Sequence, residues 1–436
     1  MKNSKKIIAY ILLLVLVLSI GSGCAAQSGS TKPDAEPANN EAPADTSPEV
    51  KEVELDLWHT LTGDDGVVLG SMVEQFNKEY NGQIRVNVSA MNSSDFKAKL
   101  PLAIESKTGI PDLTVLTTGK LFQYGEEGLL TEMSDMMAEM GLDESSFVSA
   151  TWKCGVFTDG SRYSIPLDAH AMLTYYNIDI LQELGYTEDD MNGLDKETFE
   201  RMCAEAQDAG YRGVGIWWGW MEYMFLTYLD QNGGVLVSPD NPTEPLFNTQ
   251  VGVDAIEYFK SLYDTGYTNE MDEHPETMFQ QGDTLFCLTG TWTVSGMEAI
   301  DGLNWGITYL PKWGDNNHVW AGSHQLSMIK KEQSPERVDA MRTFIQWFSD
   351  HGAEWAMSGS VPARLDVLES DAYQALKWSF SEDGIDNFAF PPAIVTQSAV
   401  KTGIDANIYD YYLGNLPDAE TALQQAYDEG LAKASK

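Results

Sequence analysis

Residues Val53–Val88 read "VELDLWHTLTGDDGVVLGSMVEQFNKEYNGQIRVNV". The stretch changes period twice. Val53, Leu55 and Leu57 alternate, as one face of a strand does. Val68, Leu69, Met72, Val73 and Phe76 then recur at helical spacing, with Asp64 or Asp65 available as an N-cap and Asn81-Gly82 as a stop. "IRVNVSA" (Ile84–Ala90) returns to alternation. Ser93 or Ser94 opens a second helical pattern, in which Pro101 predicts a kink. "PDLTVLT" (Pro111–Thr117) closes the series as a strand apolar enough to be covered on both faces.

Strand, helix, strand, helix, strand implies right-handed crossovers and a parallel sheet with helices on both sides. The ligand crevice of such a sheet lies at the carboxyl ends of its strands. Here those ends carry Trp58 and His59, then Thr117 and Thr118. Amphipathic helices are predicted at Ala255–Tyr263 and Val338–Phe348, and a turn-rich surface excursion between Leu236 and Asn248. No internal repeat is present.

Upstream of Val53 the chain has a different character. Lys2, Lys5 and Lys6 precede the apolar run Ile7–Ile20, which is too short for a comfortable membrane span. "GSGC" follows, ending at Cys24. The arrangement resembles a bacterial lipoprotein signal, with Gly21 standing where an aliphatic residue is usual, and implies lipid on Cys24. Residues 24–52 are rich in Ala, Pro, Ser, Asn and acids, so they predict a disordered tether.

The chain carries 27 Lys plus Arg against 66 Asp plus Glu, a formal charge of −39. That balance argues against nucleic acid and anionic lipid as partners. It favours a neutral ligand, although a local basic pocket can overcome the general field. Cys154, Cys203 and Cys287 leave room for one disulfide and show no C-x-x-C. H-E-x-x-H, G-x-S-x-G and G-x-x-x-x-G-K-[ST] are all missing, and "GVGIWW" fails G-x-G-x-x-G at its last position. No residue is nominated as catalytic, and no metal or cofactor is called for.

The aromatic inventory stands out instead. "GIWWGWMEYM" (Gly215–Met224) holds three tryptophans in four positions, and three so close cannot all point inwards. Flat apolar rings with polar groups around them suit the C–H face and hydroxyl rim of a sugar. Trp347 and Trp355 sit on a helical pattern and read as packing.

Several segments, in order, resemble one family. "LDLWHTLTGDDG" with "MVEQFNKEYNGQIRVNV", "GIPDLTVLTTGKLFQYGEEGLLTEMSDM", "YSIPLDAHAMLTYYNIDIL", "MFQQGDTLFCLTGTWTVSGM", "GITYLPKW…HVWAGSHQLSMIKK" and "SGSVPARLDVL" are similar to the extracellular carbohydrate-binding proteins of ABC importers, the maltose-binding-like class. The resemblance implies an α/β, two-lobed periplasmic-binding-protein-like fold, each lobe a mainly parallel sheet flanked by helices, joined by crossing hinge strands. It places residues 53–165 and 289–347 in lobe one, and residues 166–288 and 348–436 in lobe two. Residues 1–23 would be the signal.

The resemblance also implies a site. Trp292 matches the stacking tryptophan of a Gly-x-Trp segment, and Trp218, Trp220 or Tyr223 supplies a platform before the Asn232–Gly234 turn. Trp58, His59, Asp64 and Thr117 fall on lobe-one loops, and Trp320, Gly322 and Ser323 on a loop facing them. Asp168 or His170 occupies the crossover. Arg364 offers a donor fork or makes a surface ion pair. The expectation is a monomeric, lipid-anchored receptor outside a Gram-positive-type cell, gripping a neutral mono- or oligosaccharide between indoles from each lobe and serving the permease subunits of an ABC importer. A secreted hydrolase or lyase, or a receptor for a non-sugar solute, is the alternative.

Overall fold

The computed structural model describes residues 52–434 apart from 239–240, 242–243 and 392–394. The signal and nearly all of the tether lie outside these residues. Among the described residues twelve strands occur: β1 Val53–His59, β2 Ile84–Ala90, β3 Leu113–Thr117, β4 Ser164–Pro166, β5 Asp168–Asn177, β6 Arg212–Ile216, β7 Thr284–Gly290, β8 Trp305–Tyr309, β9 Val319–Gly322, β10 His324–Met328, β11 Val361–Pro362 and β12 Phe388–Ala389. No helix among the described residues is long and apolar enough to cross a membrane.

The opening stretch folds as its periods dictate. β1 pairs in parallel with β2 and β3, and the helix Asp64–Glu79 crosses between β1 and β2. Gly63 rather than an aspartate takes the N-cap, leaving Asp64 and Asp65 in the first turn, where they favour the positive end of the helix dipole. The next helix, Ser93–Ser106, is capped by Asn92, whose Oδ1 accepts from Asp95 N at 2.8 Å, so neither serine is the cap. Pro101 lies inside that helix.

Two sheets result. The first runs β2-β1-β3-β10-β4, with β10 antiparallel to both its neighbours. The second is organised by β5, all ten of whose residues are buried. β7, β8, β9 and β11 pair antiparallel to β5, while β6 joins β7 and β12 joins β9 in parallel. Leu55, Leu57, Phe76, Val86, Phe344 and Ile345 share the core of lobe one. Leu173, Phe199, Phe259, Phe286, Ile408 and Leu423 belong to that of lobe two. Each such side chain contributes about 2 kcal/mol on burial.

Lobe boundaries differ from the expectation in two places. Residues 289–347 do not return to lobe one as a block: β8 and β9 both pair with β5, and only β10 and the helix Pro335–Asp350 join the first sheet. Beyond Trp347, Phe348, Trp355 and Ala363 still pack in the lobe-one core. The cause is the length of β5, which offers edges that β8 and β9 complete.

The lobes are joined where β4 runs through Leu167 into β5, and where β9 runs through Ser323 into β10. These crossing strands are stitched together by Leu167 N donating to His324 O at 2.8 Å. β11 lies alongside, with Ala363 N donating to Leu167 O at 3.2 Å. Cys154, Cys203 and Cys287 are buried and free, so the disulfide that the sequence allowed does not form.

Candidate ligand-binding cleft

A cavity of about 920 Å³ lies between the lobes. Its lobe-one side is made by loops at the carboxyl ends of β1, β2 and β3, contributing Thr60–Asp65, Ser93, Lys97 and Leu116–Lys120. Helices begin at these loops, so the crevice lies at helix starts as well as at strand ends.

The lobe-two side is aromatic. β6 ends at Ile216, and a single 3₁₀ turn, Trp218–Trp220, leads into the helix Met221–Gln231. With three residues per turn, Trp217 and Trp220 fall on one side and Trp218 on the other. Trp218 is therefore core: it is 2 % exposed, and its Nε1 donates to Asn269 O at 3.2 Å. Trp217 and Trp220 line the cleft with ring centroids 5.4 Å apart. Trp220 meets Trp292 edge-to-face at 5.5 Å, and Tyr223 lies 3.8 Å from Trp320 with planes 30° apart. His170 continues the surface, 5.9 Å from Trp292 and 5.8 Å from Trp320.

Two glycines make room for these rings. A Cβ on Gly290 would come within 2.2 Å of the Trp292 indole, and one on Gly322 within 2.5 Å of His170 Nε2.

Beneath the wall lies a charged cluster. Lys401 Nζ sits 2.6 Å from Glu222 Oε1, donates to Tyr223 OH at 2.8 Å and stands 4.3 Å from the centre of that ring. Burial works against the Lys401 charge, but Glu222 outweighs it and the pKa rises. Burial, with Glu222 next to it, pushes the Asp405 carboxyl up to about 9.

At the hinge, Asp168 is wholly buried and accepts four bonds: from His324 N at 2.9 Å, His324 Nδ1 at 2.8 Å, Trp355 Nε1 at 2.9 Å and His170 Nδ1 at 3.2 Å. A carboxylate only accepts, so both imidazoles carry their proton on Nδ1. Burial raises the Asp168 pKa, but the His324 charge and the two histidine bonds outweigh it and hold the group well below the carboxylate range. Burial lowers His170 to about 4; for His324 the neighbouring Asp168 overcomes burial and the pKa is raised. The ligand-type atoms of Asp168, His170 and His324 lie within 4.8 Å of one another, the spacing a metal ion would need. Their mutual hydrogen bonds already account for the arrangement.

Of the residues singled out from sequence, Asp64, Thr117, His170, Trp220, Tyr223, Trp292, Trp320 and Gly322 line this one cavity. Six do not. Asp168 and Ser323 are hinge residues, the Ser323 hydroxyl donating to Asp168 O at 2.6 Å. His59 is 1 % exposed, and its Nδ1 accepts from Leu61 N at 3.2 Å. Trp58 packs against the small cluster around Phe96, and Trp218 turns into lobe two. Arg364 forms ion pairs with Asp366 at 2.8 Å and Asp350 at 3.5 Å, the surface alternative stated above. Sequence reading passed over Trp217, although it stood in the quoted cluster. Lys401, Asp405, His274 and His324 gave no local signal, because only the tertiary fold brings them to the cleft.

Comparison with known proteins agrees with this architecture. The family model described as "Bacterial extracellular solute-binding protein" matches residues 71–378. An arabinooligosaccharide-binding protein of Bacillus subtilis (strain 168) is 21% identical over 384 residues, 84% of this chain and 82% of the relative. The maltodextrin-binding protein MdxE of the same organism is 22% identical, covering 79% and 84%. Among solved structures, maltose-bound T. maritima MalE3 superposes with a TM-score of 0.75 at 20% identity, over 87% of this chain and 99% of that one.

Proposed function

This chain belongs to the bacterial extracellular solute-binding proteins, and from that membership we propose that it captures a mono- or oligosaccharide between its lobes and delivers it to the permease subunits of an ABC importer. The observation that carries this reading is the continuous aromatic face of Trp217, Trp220, Trp292, Tyr223 and Trp320 on one side of the cleft, opposite polar strand-end loops. Rings of the sugar stack on the first and its hydroxyls bond to the second. The cavity volume of about 920 Å³ sits near the top of the range of about 300–1,000 Å³ usual for small-molecule sites, which favours more than one sugar ring. Oligosaccharides named for the relatives point the same way.

In this reading the protein binds and does not transform its ligand. The lobes close about the crossing strands, and the closed form is what the importer recognises. It works as a monomer at the outer face of the membrane, held by lipid on Cys24 through the segment 24–52. A thermal-shift screen of the body against mono- and oligosaccharides tests the ligand class. A ligand at 100 times its Kd adds about 2.7 kcal/mol, a readily seen shift. Shifts with amino acids or polyamines and none with sugars would overturn it, and release of product from an incubated glycan would overturn the non-enzymatic part.

A further inference from the structure

Three lysines line the cleft, together with the acids Asp64, Asp65, Glu222, Glu276 and Asp405. Against a formal charge of −39, Lys97, Lys120 and Lys401 converge on a single cavity. Lys401 is committed, held by Glu222 at 2.6 Å and by Tyr223. Lys120 is not. Its ammonium donates to Gln123 Oε1 at 2.7 Å, and among the described residues no carboxylate lies within ion-pair distance of it. Lys97 is exposed and likewise has no ion-pair partner among them.

Lys120 stands in the first turn of the helix Thr118–Glu126, which follows β3, and Lys97 just past the first turn of Ser93–Ser106, which follows β2. The dipole of the helix Thr118–Glu126 adds positive potential at Lys120. Burial, then the charge of Lys97, brings the Lys120 pKa down to about 8; Glu127 opposes this, and Lys401 adds a smaller push downward. A half-buried ammonium without a counter-charge is costly, and an anion placed beside it relieves that cost. Of the acids that line the cleft, four are engaged elsewhere: Glu222 holds Lys401 with Asp405 beside it, Glu276 accepts from Thr289 Oγ1 at 2.8 Å, and Asp65 lies within electrostatic reach of His324 and Asp168.

We propose that the cleft selects sugars bearing an anionic substituent, a carboxylate or a phosphate, which Lys120 and Lys97 receive from the lobe-one side while the ring stacks on the aromatic wall. The inference rests on the sugar reading above and narrows its substrate class away from the neutral ligand that overall charge suggests. Titration calorimetry of the body with matched sugars tests it: neutral mono- to trisaccharides, the same sugars carrying a uronate, and the same carrying a phosphate. The anionic member of a pair is expected to bind at least about tenfold tighter, as hydrogen bonds to charged groups allow. That ratio should fall towards one in Lys120→Gln, shrink in Lys97→Gln and decline with added salt. A preference for uronate or for phosphate supports the proposal and identifies the anion. Equal binding of neutral and anionic members, or a ratio unmoved in the Lys97→Gln/Lys120→Gln double variant, overturns it and leaves the sugar reading standing. Silence from every sugar, neutral and charged, sinks both.

Discussion

The two walls of the cleft are built on different principles. Lobe two presents rings backed by its own core: Tyr223 and Trp292 pack against that core, and Trp320, only 8 % exposed, is part of it. Lobe one presents short loops at strand ends, where Thr117 is exposed and Lys120 half-buried. The first wall is rigid because burying it stabilises the fold. The second is set by helix starts and is free to be polar, since nothing has to pack over it. An indole from each lobe was the expectation, and it fails because β8 and β9 are drawn to β5, taking Trp320 with them. Trp292 follows β7, which pairs with β5 as well. Aromatic rings are thus concentrated on one face, and the polar strand-end loops on the other.

What ties the walls together is Asp168, and removing it should have the largest effect. Asp168→Ala strips the acceptor from four buried donors, two of them imidazoles. Breaking a buried charge pair from one side costs about 3–5 kcal/mol, so urea unfolding midpoints should fall sharply. A variant as stable as the parent would show that the hinge does not depend on this knot.

The next two substitutions test the asymmetry directly. Trp292→Ala removes a half-buried ring and should weaken sugar binding by about 2 kcal/mol, roughly thirtyfold, with the unliganded fold retained. Thr117→Ala on the opposite wall removes one hydroxyl and should cost about 1 kcal/mol at most, up to about fivefold. Calorimetric titration of the pair checks the order. If the threonine matters more than the indole, the aromatic face is scenery.

Acid should loosen the molecule from the lobe-two side of the hinge. The pKa of His170 is about 4 in the folded chain against an ordinary 6.5. Between those values the unfolded chain takes up a proton that the folded one refuses, so stability falls as pH drops from about 6.5 to about 4. His324, whose pKa is raised, does not offset this, because its contribution is already complete below 6.5. Asp168, held low, gives way only at still lower pH. His170 alone accounts for a loss at pH 5 on the order of 2 kcal/mol. The buried His59, lowered to about 4 as well, adds to it. A His170→Asn variant, compared with the parent by urea midpoints at pH 7 and pH 5, should therefore lose part of this acid destabilisation.

Much of lobe one was legible because it is local. The change of period across Val53–Val88 fixes β1, a helix and β2 without reference to anything distant. Helices predicted at Ala255–Tyr263 and Val338–Phe348 extend to Gln250–Asp264 and Pro335–Asp350, because caps and first turns carry little apolar periodicity. The cleft was legible in part. Trp220 and Trp292 were named, but deciding among Trp217, Trp218 and Trp220 needed the 3₁₀ turn that sends Trp218 inwards. The role of Asp168 was illegible, since its four donors come from residues up to 187 positions away. Lys401 was invisible for the same reason: Glu222, its partner, lies on another helix altogether.

The smallest effect should come from Arg364, and it closes the comparison from outside. The guanidinium engages Asp366 and Asp350, both more than half exposed, and it does not line the cleft. Exposed ion pairs contribute about 0–1 kcal/mol. Some further packing is lost, because the same group lies 5.9 Å from the Phe147 ring. Arg364→Ala should therefore lower stability by no more than about 1 kcal/mol and leave sugar affinity within the error of a titration. A donor fork on vicinal hydroxyls would instead cost at least tenfold in Kd. Such a loss, with the melting temperature unchanged, would mean that the ligand reaches past the two walls to the lobe-one surface beyond the hinge, and the cleft would have to be redrawn with a third side.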